Sequence, residues 1–264
     1  MNVFFRELKA SLKSLLIWCG IIILFVLVSF SKFSGFYENT DMLAKLNAIL
    51  QPLFSSFKVN TSHLTMLVGF YREMGILYAV TLATAAVLWG STIFTKEERD
   101  RTIEFLASKP VSRSSLVTAK SAAAALDCVV LLLVTWGITL AGALRYSPDA
   151  NFFRFVAISE LAFLIIQMIF LALGILLGCT IKKNQLADGL SIAILLGTFF
   201  IGVISGLGKG VTFLKLFSPF KFFDSLLMLN EFRLDVNYVL LSVAIIAVCM
   251  VWAYFTYKKR DLYI

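Results

Sequence analysis

Residues 75–94 read GILYAVTLATAAVLWGSTIF, twenty consecutive positions without one charged side chain. A helix needs about 20 mostly apolar residues to cross the hydrocarbon core of a bilayer. Five further segments qualify on either side of this run, at about residues 15–30, 121–144, 155–181, 186–207 and 238–257. The last is also free of charge, whereas 121–144 carries Asp127, 155–181 carries Glu160 and Gln167, and 186–207 carries Asp188 near its start, which reads as a cap. The expected fold is all-α: one polytopic six-span membrane domain over residues 1–264, with no soluble domain of appreciable size.

Composition requires the same solvent. Hydrophobic residues make up 59% of the chain and charged residues 15%, with a mean hydropathy of +0.88. A soluble domain carries about 25% charged residues, because its surface must face water. The net charge of +8 does not point to nucleic acid, since the basic residues lie in short clusters between apolar runs. Cys19, Cys128, Cys179 and Cys249 all fall inside apolar segments without CxxC spacing, so they read as small packing residues rather than a zinc site or a disulfide framework. The N-terminal run lacks a small-residue cleavage site and is expected to be a retained first span.

Six spans place both termini on one side. The segments on that side (1–14, 95–120, 182–185 and 258–264) hold 14 Lys and Arg in 51 residues, against 10 in 84 for 31–74, 145–154 and 208–237. By the positive-inside rule the denser set is cytoplasmic. The chain is therefore expected in the cell membrane, read as a bacterial plasma membrane, with both termini inside and two sizeable outer loops, 31–74 and 208–237. The second loop mixes aromatics with lysine around Ser218-Pro219-Phe220-Lys221, as in a short element lying in the interface or dipping back into the protein, or in a partly buried connector.

One cytoplasmic stretch differs from the rest: KEERDRTIEFLASKPVSR, residues 96–113. Both signs of charge are concentrated at its start, then it turns apolar and stops at Pro110. Glu97 and Arg101 stand at i, i+4 with the acid N-terminal, the favourable order for a helical pair. Ile103, Leu106 and Ala107 share a face, and Pro110 disfavours helical geometry at Lys109. The pattern predicts a short amphipathic helix over about 96–108 at the membrane surface, the alternative being a solvated loop with accidental pairing.

Thr102, Glu104, Leu106, Pro110, Val111, Ser112 and Arg113 resemble the signature that permease subunits of ABC-2 type transporters carry between their second and third spans. A glycine often precedes the threonine in that family, and Arg101 stands there in this chain. The basic N-terminal segment, Lys182-Lys183 and the terminal Lys258-Lys259-Arg260-Asp261-Leu262 are similar to that family as well. The resemblance implies an N-terminal interfacial helix before the first span. It also implies a coupling helix at 96–108 that docks in a cleft of a separate ATPase subunit. By it Glu97, Glu98, Arg99 and Arg101 would orient the dock, with Thr102 and Glu104 in the same interface. Ile103, Phe105 and Leu106 would anchor it, and changes at the flanking Lys96 or Lys109 would matter less. It further implies a second permease subunit, identical or a sister chain, contact with membrane lipid, and export of an antibiotic, amphipathic peptide, polysaccharide or lipid. The large outer loops and aromatic-rich, nearly uncharged spans favour a hydrophobic or amphipathic substrate (peptide, antibiotic or lipid-like) over a polyanionic glycan.

No Gly-x4-Gly-Lys-Ser/Thr loop occurs, so ATP and Mg are expected in the partner ATPase, with no cofactor, metal or catalytic residue in this chain. An intramembrane protease would need histidines at membrane depth, and the lone His63 falls in an outer loop. The competing class is an ion-coupled secondary transporter using Asp127 and Glu160, with Gln167 as a third polar residue inside the spans. Each of the two acids lies within about three turns of a span end and could instead pair with Arg145, Arg154 or a neighbouring helix. Gly174-x3-Gly178 and Gly202-x3-Gly206 permit close helix approach, read as internal packing with a dimer contact as the alternative.

Overall fold

In the computed structural model the described residues are 3–38, 67–99, 112–181, 184–206, 209–223, 228 and 231–259. Six of their helices are long and apolar enough to cross a membrane: α1 (Val3–Glu38), α2 (Leu67–Arg99), α3 (Arg113–Ala143), α4 (Ala150–Thr180), α5 (Asn184–Ser205) and α6 (Val236–Lys259). No strand occurs among the described residues.

Several helices exceed the apolar runs that predict them. α1 has 36 residues, about 54 Å at 1.5 Å per residue, against a hydrocarbon core of about 30 Å. The segment expected as a separate interfacial helix is the first turns of this same rod. Its Leu, Lys, Ala and Glu residues are good helix formers, and neither Gly nor Pro interrupts it before Gly20. The inward face of α1 is a narrow stripe of Glu7, Leu15, Ile22, Val26, Phe30 and Phe33, close to a heptad spacing. α3 starts on Ser112, whose hydroxyl accepts from the Ser115 amide at 3.2 Å. α4 starts on Asp149, whose carboxylate accepts from the Phe152 amide at 2.9 Å. Both caps satisfy amides that a helix start leaves without intrahelical partners.

α2 and α4 form the central pair, the most enclosed of the six spans. A Cβ added at Gly90 would lie 2.8 Å from the Ile175 amide nitrogen, and one at Gly178 would lie 2.6 Å from the Ser91 carbonyl oxygen. Gly174 meets the Val87 carbonyl and the Gly90 Cα in the same seam. The backbones touch because neither side offers a side chain, the small-residue solution expected where no hydrophobic effect drives helices together. The Gly174/Gly178 pair is thus internal packing. Gly202 instead faces Ser218 and Lys221, and among the described residues a Cβ on Gly206 meets only Val203 of the helix it follows. α1 packs on α3, α6 on α4, and α5 on α2.

At the end of the bundle away from the chain termini, two 3-10 segments, Lys209–Phe217 and Pro219–Lys221, follow α5. Phe213 and Phe217 are exposed, whereas Ser218, Pro219 and Phe220 are buried. Phe220 stacks on Phe170 of α4 at 5.1 Å and meets Phe199 of α5 edge-on at 5.8 Å. Phe222 stacks on Tyr238 of α6 at 5.3 Å. The element dips back into the protein and closes this end between α4, α5 and α6. None of the four cysteines is in a disulfide.

Candidate functional site

The stretch predicted as a coupling helix lies mostly outside the described residues. Lys96 and the backbone of Glu97, Glu98 and Arg99 continue α2 as its last turn. Arg101, Thr102, Ile103, Glu104, Phe105 and Leu106 lie outside, within 100–111. The two helix ends that frame this gap are described, and they are bound to every other span.

α2 is held first by charge. Glu7 of α1, 1% exposed, accepts from Arg6 at 2.7 Å and forms an ion pair with Lys96. Lys120 of α3 is fully buried, donates to the Ile93 carbonyl of α2 at 2.6 Å, and lies within electrostatic reach of Glu7. The Lys120 ammonium also sits 5.5 Å from the centre of the Phe94 ring. Asp127, two turns further along α3, lies beside Ser11 of α1 and within electrostatic reach of Lys96. Three cations and two carboxylates from α1, α2 and α3 therefore share one site. A buried charge is costly unless it is paired and hydrogen-bonded, so the cluster fixes the three helices relative to one another.

Hydrogen bonds and a ring contact extend the grip. Trp89 donates its indole N–H to Ser14 of α1 at 2.9 Å. Ser91 donates to Asp188 of α5 at 2.6 Å. Asp188 is the fifth residue of its helix, so it bridges helices rather than capping one. Phe94 packs edge-on against Tyr257 of α6 at 5.4 Å. Across the gap, Arg113 donates to the Lys258 carbonyl at 3.1 Å. That oxygen is among the last of α6 and has no intrahelical partner among the described residues, and a cation is favourable at a helix C-terminus. Thr118 of α3 and Tyr254 of α6 share a hydrogen bond of 2.8 Å.

A second polar set occupies the opposite half of the bundle. Tyr71, near the start of α2, donates to Glu160 of α4 at 3.2 Å. Tyr78 packs against Tyr71, with Ser29 of α1 beside it. The second Glu160 oxygen and both polar atoms of the Gln167 amide have no hydrogen-bond partner among the described residues. Asp127 and Glu160 both pair with a neighbouring helix rather than with Arg145 or Arg154, and they do not come together.

The family model described as ABC-2 family transporter protein matches residues 1–262, nearly the whole chain. The chain belongs to the ABC-2 transporter family. Members of this family are the transmembrane component of their transporters, a role that fits six spans and the absence of a phosphate-binding loop in the sequence. No curated protein matches the chain. In this ABC-2 protein, Ser112 and Arg113 of the recognised motif now have local roles: one caps α3 and the other ties α3 to α6.

Sequence reasoning missed Glu7 and Lys120, because each fell in a stretch counted only for its charge. Spacing carried the signal. Glu7 is in step with Leu15 and Ile22, and Lys120 is in step with Val117, Ala124, Asp127 and Leu131 on the buried face of α3.

Proposed function

We propose that this chain is the membrane-spanning permease subunit of an ATP-driven exporter, working with a separate ATPase subunit and a second permease subunit. Its substrate is hydrophobic or amphipathic and leaves the cytoplasm by alternating access. Both termini and the segment 100–111 face the cytoplasm, where the ATPase binds ATP and Mg.

One observation carries this reading: both helix ends that flank 100–111 are anchored in the bundle while the segment between them is the motif region. α2 is fastened to α1 by Lys96–Glu7, to α3 by Lys120–Ile93 and to α5 by Ser91–Asp188. α3 is fastened to α6 by Arg113–Lys258. A partner that displaces 100–111 moves two helix ends, and those ends carry the other spans. The glycine seam makes α2 and α4 shift together, as packed helices do in hinge and shear transitions. The ion-coupled alternative needs Asp127 and Glu160 to act along one path, and the two lie in opposite halves of the bundle.

The test is transport into inside-out vesicles containing this chain and its ATPase. Uptake should require ATP and survive collapse of the proton gradient. Loss of uptake on collapse, with ATP present, would replace this reading with the ion-coupled one.

A further inference from the structure

A groove of about 370 Å³ opens between the first turn of α3 and the last two turns of α6, within the range of about 300–1,000 Å³ usual for small-molecule sites. Its apolar wall includes Val251, Tyr254 and Phe255, and its rim Arg113, Ser114 and Lys258. Val251 and Phe255 are exposed one helical turn apart, so the groove is open sideways to the bilayer. Arg113, Lys258 and the adjoining Lys259 are exposed at the end where the apolar length of α6 stops. Among the described residues no carboxylate lines the groove. The Arg113–Lys258 hydrogen bond and the Thr118–Tyr254 hydrogen bond hold the two walls together.

An apolar wall that begins in the hydrocarbon and ends at a basic rim at headgroup depth matches one ligand class. Basic sites between spans at the membrane surface attract anionic headgroups, and interfacial aromatics sit at the same level. We propose that this groove binds one anionic phospholipid of the adjacent leaflet, with its phosphate at Arg113, Ser114 and Lys258 and an acyl chain along Val251 and Phe255. The lipid bridges the α3 start to the α6 end, directly beside the segment 100–111. This site is independent of how the chain is energised, so it is tested on the permease alone.

The experiment titrates the purified full chain in detergent with phosphatidylglycerol or phosphatidylcholine, reading bound lipid by native mass spectrometry and stability by thermal shift. The first phosphatidylglycerol should bind about tenfold or more tightly than phosphatidylcholine and raise the unfolding temperature, as any ligand selective for the folded state must. The Arg113→Gln/Lys258→Gln variant should lose that preference. Lys9→Gln/Lys13→Gln, which removes two exposed cations from the same end, should keep it. Val251→Trp fills the groove, leaves the rim intact, and should also lose retention; with Lys258→Gln alone it decides the question if the double variant does not fold. Equal retention of the two lipids, a preference that survives Arg113→Gln/Lys258→Gln, or no effect of Val251→Trp would overturn the proposal. Displacement of the lipid by equimolar inorganic phosphate would reduce the site to a phosphate site and overturn it too. So would a dimer that Val251→Trp dissociates without any lipid preference.

Discussion

Ser91 joins three helices at one residue. Its hydroxyl donates to Asp188 of α5 at 2.6 Å, while its carbonyl faces Gly178 and its amide faces Gly174 across the α4 seam. Only a glycine opposite lets the backbone come so close, and only a small hydroxyl can then turn to α5. A hydrogen bond of this kind contributes about 1 kcal/mol net, more when one partner is charged. Asp188→Leu should therefore lower the unfolding temperature in detergent, Asp188→Asn much less, and Ser91→Ala about as much as Asp188→Leu. The double variant should be less destabilised than the two single losses added together. Strict additivity would mean the bond is not formed.

The glycines separate into a seam and a periphery. Gly90→Ala and Gly174→Ala drive a methyl into α4 or α2 backbone, which cannot swing away, and each should cost about 1–3 kcal/mol or more by overpacking. Gly142→Ala meets the ring of Phe30, a side chain that can turn, so its cost should be smaller. Gly137 has nothing within 4 Å of an added Cβ, and Gly137→Ala should be neutral or stabilising through helix propensity. Thermal unfolding of the four variants should return that order.

Lys120 is the cation with the most to lose. Removing one partner of a buried charged set costs about 3–5 kcal/mol, because the charge left behind has no solvent. Lys120→Met should be severely destabilised, whereas the Glu7 carboxylate keeps Arg6 and Lys96 as partners. Glu7→Gln should therefore cost less in the Lys120→Met chain than in the native one, since the Lys120–Glu7 attraction is already lost there. Folded yield and unfolding temperature measure both, and strict additivity would separate Lys120 from Glu7.

The docking segment gives the sharpest test of the proposed function. Charge reversal of Glu97 and Glu98 with Phe105→Ala and Leu106→Ala should abolish copurification of the ATPase or uncouple its turnover from transport. A hot-spot anchor at an interface contributes about 2 kcal/mol or more, against about 0–1 kcal/mol for an exposed surface pair. Lys109→Ala is the mild control. Lys96 cannot serve as one, since it is ion-paired to the buried Glu7. Normal binding and coupling in the fourfold variant, at wild-type expression, would sink the assignment.

Orientation is tested by labelling in intact cells. With the native cysteines removed, single cysteines at Ser55 and Asp235 should react with an impermeant maleimide, and one at Ser112 should not. The reverse pattern would invert the topology.

The sequence by itself determined that this chain has six apolar helices. In lipid every backbone amide must be satisfied within its own helix, so some twenty consecutive apolar residues suffice, and no contact with another part of the chain enters the decision. Helix starts were equally local: Ser112 and Asp149 cap their helices with atoms three residues away. Which faces meet was decided only by the tertiary structure. Between helices in a bilayer no hydrophobic effect selects a partner, and close packing and hydrogen bonds do so instead. Those depend on residues far apart in the chain, as Gly90 against Gly174 or Glu7 against Lys96. Asp127 and Glu160 look alike along the sequence, one acid in each of two apolar runs. Helix packing carried the first to Ser11 at one end of the bundle and the second to Tyr71 at the other.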